Sequence, residues 1–112
     1  MIANYQILIG RLTADPEMRY TTNQKSVCNM RMACNTKMGE YEEVYYTRVE
    51  GWGWTAEQMA TLKKGDGVIV IGRARTEEYT TAEGEKRSTT KVVAESIGKQ
   101  IYVESKNTEV GF

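Results

Sequence analysis

The chain has 112 residues, 15 basic and 15 acidic side chains, no histidine and two cysteines. That length gives one domain with a modest core, and zero net charge excludes binding to a polyanion through bulk charge, leaving only local placement of Lys and Arg. The missing histidine removes the commonest general base and metal ligand. No apolar run is long enough to span a bilayer and no charged-then-apolar signal peptide opens the chain. The expectation is a cytoplasmic protein with no membrane contact, no cofactor, no metal and no catalytic site.

Tyr5-Gln6-Ile7-Leu8-Ile9-Gly10-Arg11-Leu12 is an apolar run broken by glycine, which predicts a first strand bent at Gly10 as a bulge or barrel corner. Asp15-Pro16-Glu17 makes a turn, Met18 to Tyr20 a short extended piece, and Thr22 to Gln24 a loop. Ser26 to Thr36 alternates, with Cys28, Met30, Met32 and Cys34 on one face and Asn29, Arg31, Ala33 and Asn35 on the other, the pattern of a half-buried second strand. The two thiols would stand about 20 Å apart on that strand, too far for a disulfide within it, and they lack the spacing of a zinc pair. They read as small core thiols.

Thr36 to Glu43 predicts an exposed hairpin loop leading into a third strand, Val44 to Gly53. Thr55 to Gly65 is the one helix, with Thr55 and Gln58 as a capping box, Glu57 in the first turn, Lys63 and Lys64 in the last, and Gly65 to end it. Met59 and Leu62 form its narrow core-facing side. Val68 to Arg75 resumes the strand pattern, Thr80 to Glu85 is a second hairpin loop, and Lys86 to Ile97 is the last strand. The order strand, strand, strand, helix, strand, strand with glycine bends predicts an all-β fold with one short α-helix. It is a five-stranded Greek-key OB-fold barrel with the helix between strands 3 and 4.

Strand parity over Tyr41 to Trp54 sets Val44, Tyr46, Arg48, Glu50, Trp52 and Trp54 on one face. Aromatic rings with an arginine among them are the chemistry of unpaired nucleic acid, whose bases stack on rings and whose phosphates meet guanidinium groups. The alternative from this stretch alone is a sheet surface whose rings cover one another across strands. Trp54 shares the parity of Trp52 but stands at the helix start, where it could equally fill a gap.

Several segments, in order from about residue 2 to about residue 97, resemble the bacterial-type single-stranded DNA-binding proteins. They are Ile7 to Leu12, Asp15-Pro16-Glu17-Met18-Arg19-Tyr20, the Ala56-Glu57 helix ending Leu62-Lys63-Lys64-Gly65, Ile71 to Thr76, and Thr89 to Glu95. The resemblance implies an OB-fold that assembles as a homotetramer, with a dimer as the alternative, and wraps single-stranded DNA over aromatics without sequence preference. Carried over by position, the stacking residues fall on Met38, Tyr46, Trp52 and Tyr79; Met38 departs from the aromatic pattern and implies a weaker contact. By face and loop position the phosphate-contacting stripe is Arg11, Arg31, Arg48, Arg73, Arg75, Lys86 and Arg87, each of which could instead be a solvated charge or the partner of a glutamate. Leu8, Ile9 and their neighbours in the first strand are expected at a subunit contact, because the family pairs that strand across a dimer.

Family members commonly continue into a linker and an acidic tip that recruits replication and repair enzymes. Residues 1–102 are expected to form the binding domain and 103–112 a short C-terminal tail, in which Glu109 and Phe112 are at best a remnant of such a tip. Recruitment through this end is not expected, and the shortness suits a phage- or plasmid-encoded member. The implied role is protection of single strands in DNA replication, recombination or repair. The competing reading is an OB-fold protein-interaction module of a primosome or replication complex, with Trp52 and Tyr79 anchoring a protein partner.

Overall fold

The structure, a computed structural model, describes residues 5–101. Six strands and one helix follow the chain: β1 (Tyr5–Leu12), β2 (Glu17–Tyr20), β3 (Ser26–Met38), β4 (Tyr41–Trp52), α1 (Trp54–Met59), β5 (Gly67–Thr80) and β6 (Lys86–Lys99). They are hydrogen-bonded in the order β1-β5-β6-β4-β3-β2, and β1 pairs again with β3, so five strands close a ring with β2 on its outside. All pairings are antiparallel except the seam of β4 with β6, where Val49 lies beside Val92 and Glu50 beside Val93. This is an OB-fold barrel.

Two corrections concern strand count and helix. The extended piece at Met18 to Tyr20 is a strand, with Glu17–Tyr20 matched to Asn29 through Ser26. The helix therefore lies between the fourth and fifth strands of the chain, not the third and fourth; four residues carry too little alternation to announce a strand. The helix is also six residues rather than about ten, with Gly53 at its N-cap and no side-chain cap bond, so the Thr55–Gln58 box does not form. Gly53 takes a positive φ of 59°, and its N–H donates to the Ser26 carbonyl at 2.9 Å. That bond fixes the point where β4 turns into the helix, one residue before Trp54. Lys63 and Lys64 lie past its end, where their N–H groups donate to Asp66 and Asp15, both at 2.8 Å.

The predicted hairpin loop from Thr36 to Glu43 shrinks to two residues, because β3 and β4 stay in register out to Met38 opposite Tyr41. Gly39, at φ 62°, supplies the turn. The second loop, between Thr80 and Lys86, is as expected, closed by Thr81 N–H to the Glu85 carbonyl at 2.8 Å. The side chains of residues 36–38 and everything from residue 102 onward lie outside the described set, so the Met38 contact and the tail are not placed.

The core is Leu8, Leu12, Cys28, Met30, Met32, Val49, Ala56, Met59, Val68, Val70, Val92 and Ala94, with Met18, Cys34, Leu62 and Ile97 packed on it. The alternation read in β3 thus sends Cys28, Met30 and Met32 inward, and unbranched thioethers suit the irregular space inside a small barrel. Gly10 is the corner that lets β1 leave β5 for β3: a Cβ there would meet the Ala33 backbone at 3.0 Å or less. Both thiols are free. Burial pushes each thiol pKa up, offset in part at Cys34 by a hydrogen bond from the Ile9 backbone, so neither is poised as a nucleophile. Among the described residues no helix is long and apolar enough to cross a membrane.

Candidate functional site

The outer faces of β2, β3 and β4 meet in register. Arg31 lies opposite Arg48, Ala33 opposite Tyr46, Asn29 opposite Glu50 and Val27 opposite Trp52, while Arg19 and Glu17 of β2 flank Val27 and Asn29 from the other side. Antiparallel partners share a face, so the alternation in β4 puts Tyr46, Arg48, Glu50 and Trp52 outward, with Val49 and Gly51 buried behind them. Across the parallel seam, β6 adds Lys91 and β5 adds Glu77 and Arg75.

This surface is concave. One cavity of about 540 Å³ runs past Arg19, Arg31, Arg48, Glu50, Glu77 and Lys91. A second, of about 400 Å³, is lined by Arg31, Arg48, Tyr46, Thr89 and Thr90 among others, and the two share both arginines. Trp52 stands at the edge, its indole Nε1–H donating to Glu50 Oε1 at 3.0 Å. The residue remains exposed to solvent. The first cavity holds four basic residues, Arg19, Arg31, Arg48 and Lys91, against four acidic ones, Asp15, Glu17, Glu50 and Glu77. Zero net charge therefore extends into the groove itself, and an anion entering it meets local cations rather than a uniform field.

Arg31, Arg48 and Tyr46 are thus brought together, while Trp52 shares the outer face of β4 but lines neither cavity. Arg11 sits in register with Ala33 and through it with Tyr46, and its Nη1 donates to the Gly65 carbonyl at 3.0 Å. Tyr79 and Arg87 are opposite each other on the β5–β6 arm, next to Lys86 at its start, and Arg75 faces Lys91 across the same pair of strands. Arg87 is bridged to Glu85 at 2.9 Å. These arm residues do not line either cavity. Trp54 does not continue the β4 face, because the strand ends at Trp52 and Gly53 turns the chain; it is 74% exposed at the helix start.

Arg73 is placed elsewhere. Its Nε lies 3.0 Å from Glu95 Oε2, its Nη2 donates to Tyr5 Oη at 2.9 Å, and its guanidinium stands 4.7 Å from the centre of the Tyr5 ring. The Tyr5 hydrogen bond and the Glu95 charge raise its pKa further. This cluster borders a row of outward isoleucines, where Ile7 pairs with Ile71 and Ile9 with Ile69. Of the strand-one residues expected at a subunit contact, Leu8 belongs to the core, while Ile9 and its neighbour Ile7 face out.

Arg19 and Lys91 are cavity residues that sequence reasoning did not single out. Arg19 depends on the β2–β3 pairing, which the sequence hides; Lys91 shares the parity of Arg87 and Thr89 and was legible from it.

A closed OB barrel with an arginine-and-aromatic groove on its outer face defines the class. Residues 3–104 match the model of the single-strand binding protein family. The single-stranded DNA-binding protein of Thermus thermophilus is 40% identical over 92 residues, covering 81% of this chain and 35% of that protein. Its counterpart in Halalkalibacterium halodurans is 41% identical over 99 residues (84% and 58%), and that of Mycolicibacterium smegmatis 36% over 102 residues (84% and 62%). The chain belongs to the single-strand binding protein family, and it spans about a third to three fifths of the length of these relatives.

Proposed function

We propose that the chain binds single-stranded DNA without base preference and so protects single strands in replication, recombination or repair. The observation that carries this reading is the Arg31–Arg48 pair set in register beside exposed Tyr46 in one groove, with Trp52 open at its edge. Bases stack on Tyr46 and Trp52, phosphates lie along Arg31 and Arg48, and the strand continues toward Tyr79 and the Arg75, Lys86 and Arg87 side of the β5–β6 arm. Each stacked base contributes roughly 1–3 kcal/mol whatever its identity, and duplex DNA, with its base faces covered, is a poor ligand. No covalent step is involved. Titration with an oligo-thymidine quenches tryptophan fluorescence, and excess duplex does not reverse it. Absence of quenching and of any binding at low salt would sink the reading and turn the aromatic face over to a protein partner.

The same proposal includes a homo-oligomer. Ile7 and Ile9 are 68% and 54% exposed, and with Ile69 and Ile71 they make an apolar patch of a kind that monomers seldom leave bare. A second copy of the chain covers it, with a tetramer as the expected state. Ile9→Asp lowers the solution mass measured by light scattering to that of a monomer. A wild-type chain that is monomeric at micromolar concentration excludes the assembly.

A further inference from the structure

Lys91 is unlike the other cations of the groove. Its ammonium is 3.1 Å from Glu50 Oε2 and 3.2 Å from Glu77 Oε2, and its side chain is only 15% exposed. Glu50 is equally enclosed, at 13%, and also accepts the Trp52 indole N–H. Burial opposes the charge on Lys91, but the two carboxylates more than offset it and its pKa lies above the ordinary lysine value. Arg31, by contrast, shares the same cavity and has no ion pair among the described residues.

Given the single-strand reading above, on which this rests, we infer that Glu50 and Glu77 brace Lys91 against phosphate and thereby set the strength and salt dependence of binding. The brace carries one positive and two negative groups, so the centre of the groove repels a phosphate that its lysine alone would attract. The backbone of the strand is steered to the Arg31–Arg48 side, and bases rather than phosphates face Lys91. Affinity is held below what the count of groove cations would give, which suits a protein that releases its strand.

The test compares oligo-thymidine binding by the full chain with that by Glu50→Gln/Glu77→Gln and by the same double variant carrying Lys91→Met, across salt concentrations. A freed lysine adds one phosphate contact, which steepens the slope of log K against log salt by about 0.7 for a single strand and makes the gain about 2.6-fold larger at 50 mM than at 200 mM salt. The triple variant lacks that increment. Glu77→Gln alone, which leaves Trp52 and Glu50 untouched, gives a smaller gain of the same sign and serves if the double variant does not fold. A slope unchanged in every carboxylate variant overturns the brace, and so does a gain that persists undiminished in the triple variant. Failure of the wild-type chain to bind any single strand would overturn the functional reading instead.

Discussion

Trp52→Ala weakens oligo-thymidine binding by about 1–3 kcal/mol, a five- to 150-fold loss, and Tyr46→Ala does the same. The two rings stand six residues apart on β4, about 20 Å along the strand. They meet different bases, so the double variant sums the two losses to within about 0.5 kcal/mol. Trp52→Phe separates the ring from its hydrogen bond: it loses the donor to Glu50 but keeps a stacking face, and it retains most of the affinity. The measurement is anisotropy of a labelled oligonucleotide at fixed salt, with thermal unfolding to show that each variant is folded. Both alanine variants binding like wild type would place the stacking surface elsewhere.

The second large effect concerns stability. Met59 is fully buried, and truncation to alanine costs about 2–5 kcal/mol through lost contacts and the cavity left behind. Gly51, on the inner face of β4, has no room for a side chain because a Cβ there would collide with the Met59 thioether and come within 3.2 Å of Thr55 Cγ2. Gly51→Ala therefore destabilises by about 1–3 kcal/mol. The obstructing atom is the end of a flexible side chain, so in Met59→Ala the same methyl occupies vacated space. The double variant is then more stable than the sum of the single effects by about 0.5–3 kcal/mol. Urea unfolding of the four proteins checks this, and strict additivity contradicts it. α1 has only six residues, too few to hold a helix in water without its contacts, so Met59 keeps the helix in place as much as the helix keeps Met59.

What could be read before the fold was known followed from periodicity. The inward Cys28, Met30 and Met32 of β3 and the outward Tyr46, Arg48 and Trp52 of β4 repeat every second residue, and the structure keeps both rows. Gly10 was legible as a corner because a glycine inside an apolar strand has few other uses. The helix was overread because Thr55, Gln58, Lys63 and Gly65 satisfy local rules that the tertiary junction at Gly53 overrides. β2 was hidden by its length, and with it Arg19. The position of Arg73 was illegible for another reason: strand parity says which face a residue takes, but in a closed ring one outward face becomes two surfaces. Register with Tyr5 puts Arg73 on the isoleucine side, whereas Arg75, two residues on, sits opposite Lys91.

The parallel seam has a consequence for how the chain reaches this state. The β3–β4 and β5–β6 hairpins join neighbouring segments and form in about 1–10 μs. The ring is complete only when Val49 and Glu50 find Val92 and Val93, and when β1, from the N-terminal part of the chain, reaches Ile69 and Ile71. Those meetings must overcome the entropy of closing long stretches of chain before they return any contact. Closing that seam, rather than forming either hairpin, is therefore the step expected to limit how fast the barrel forms.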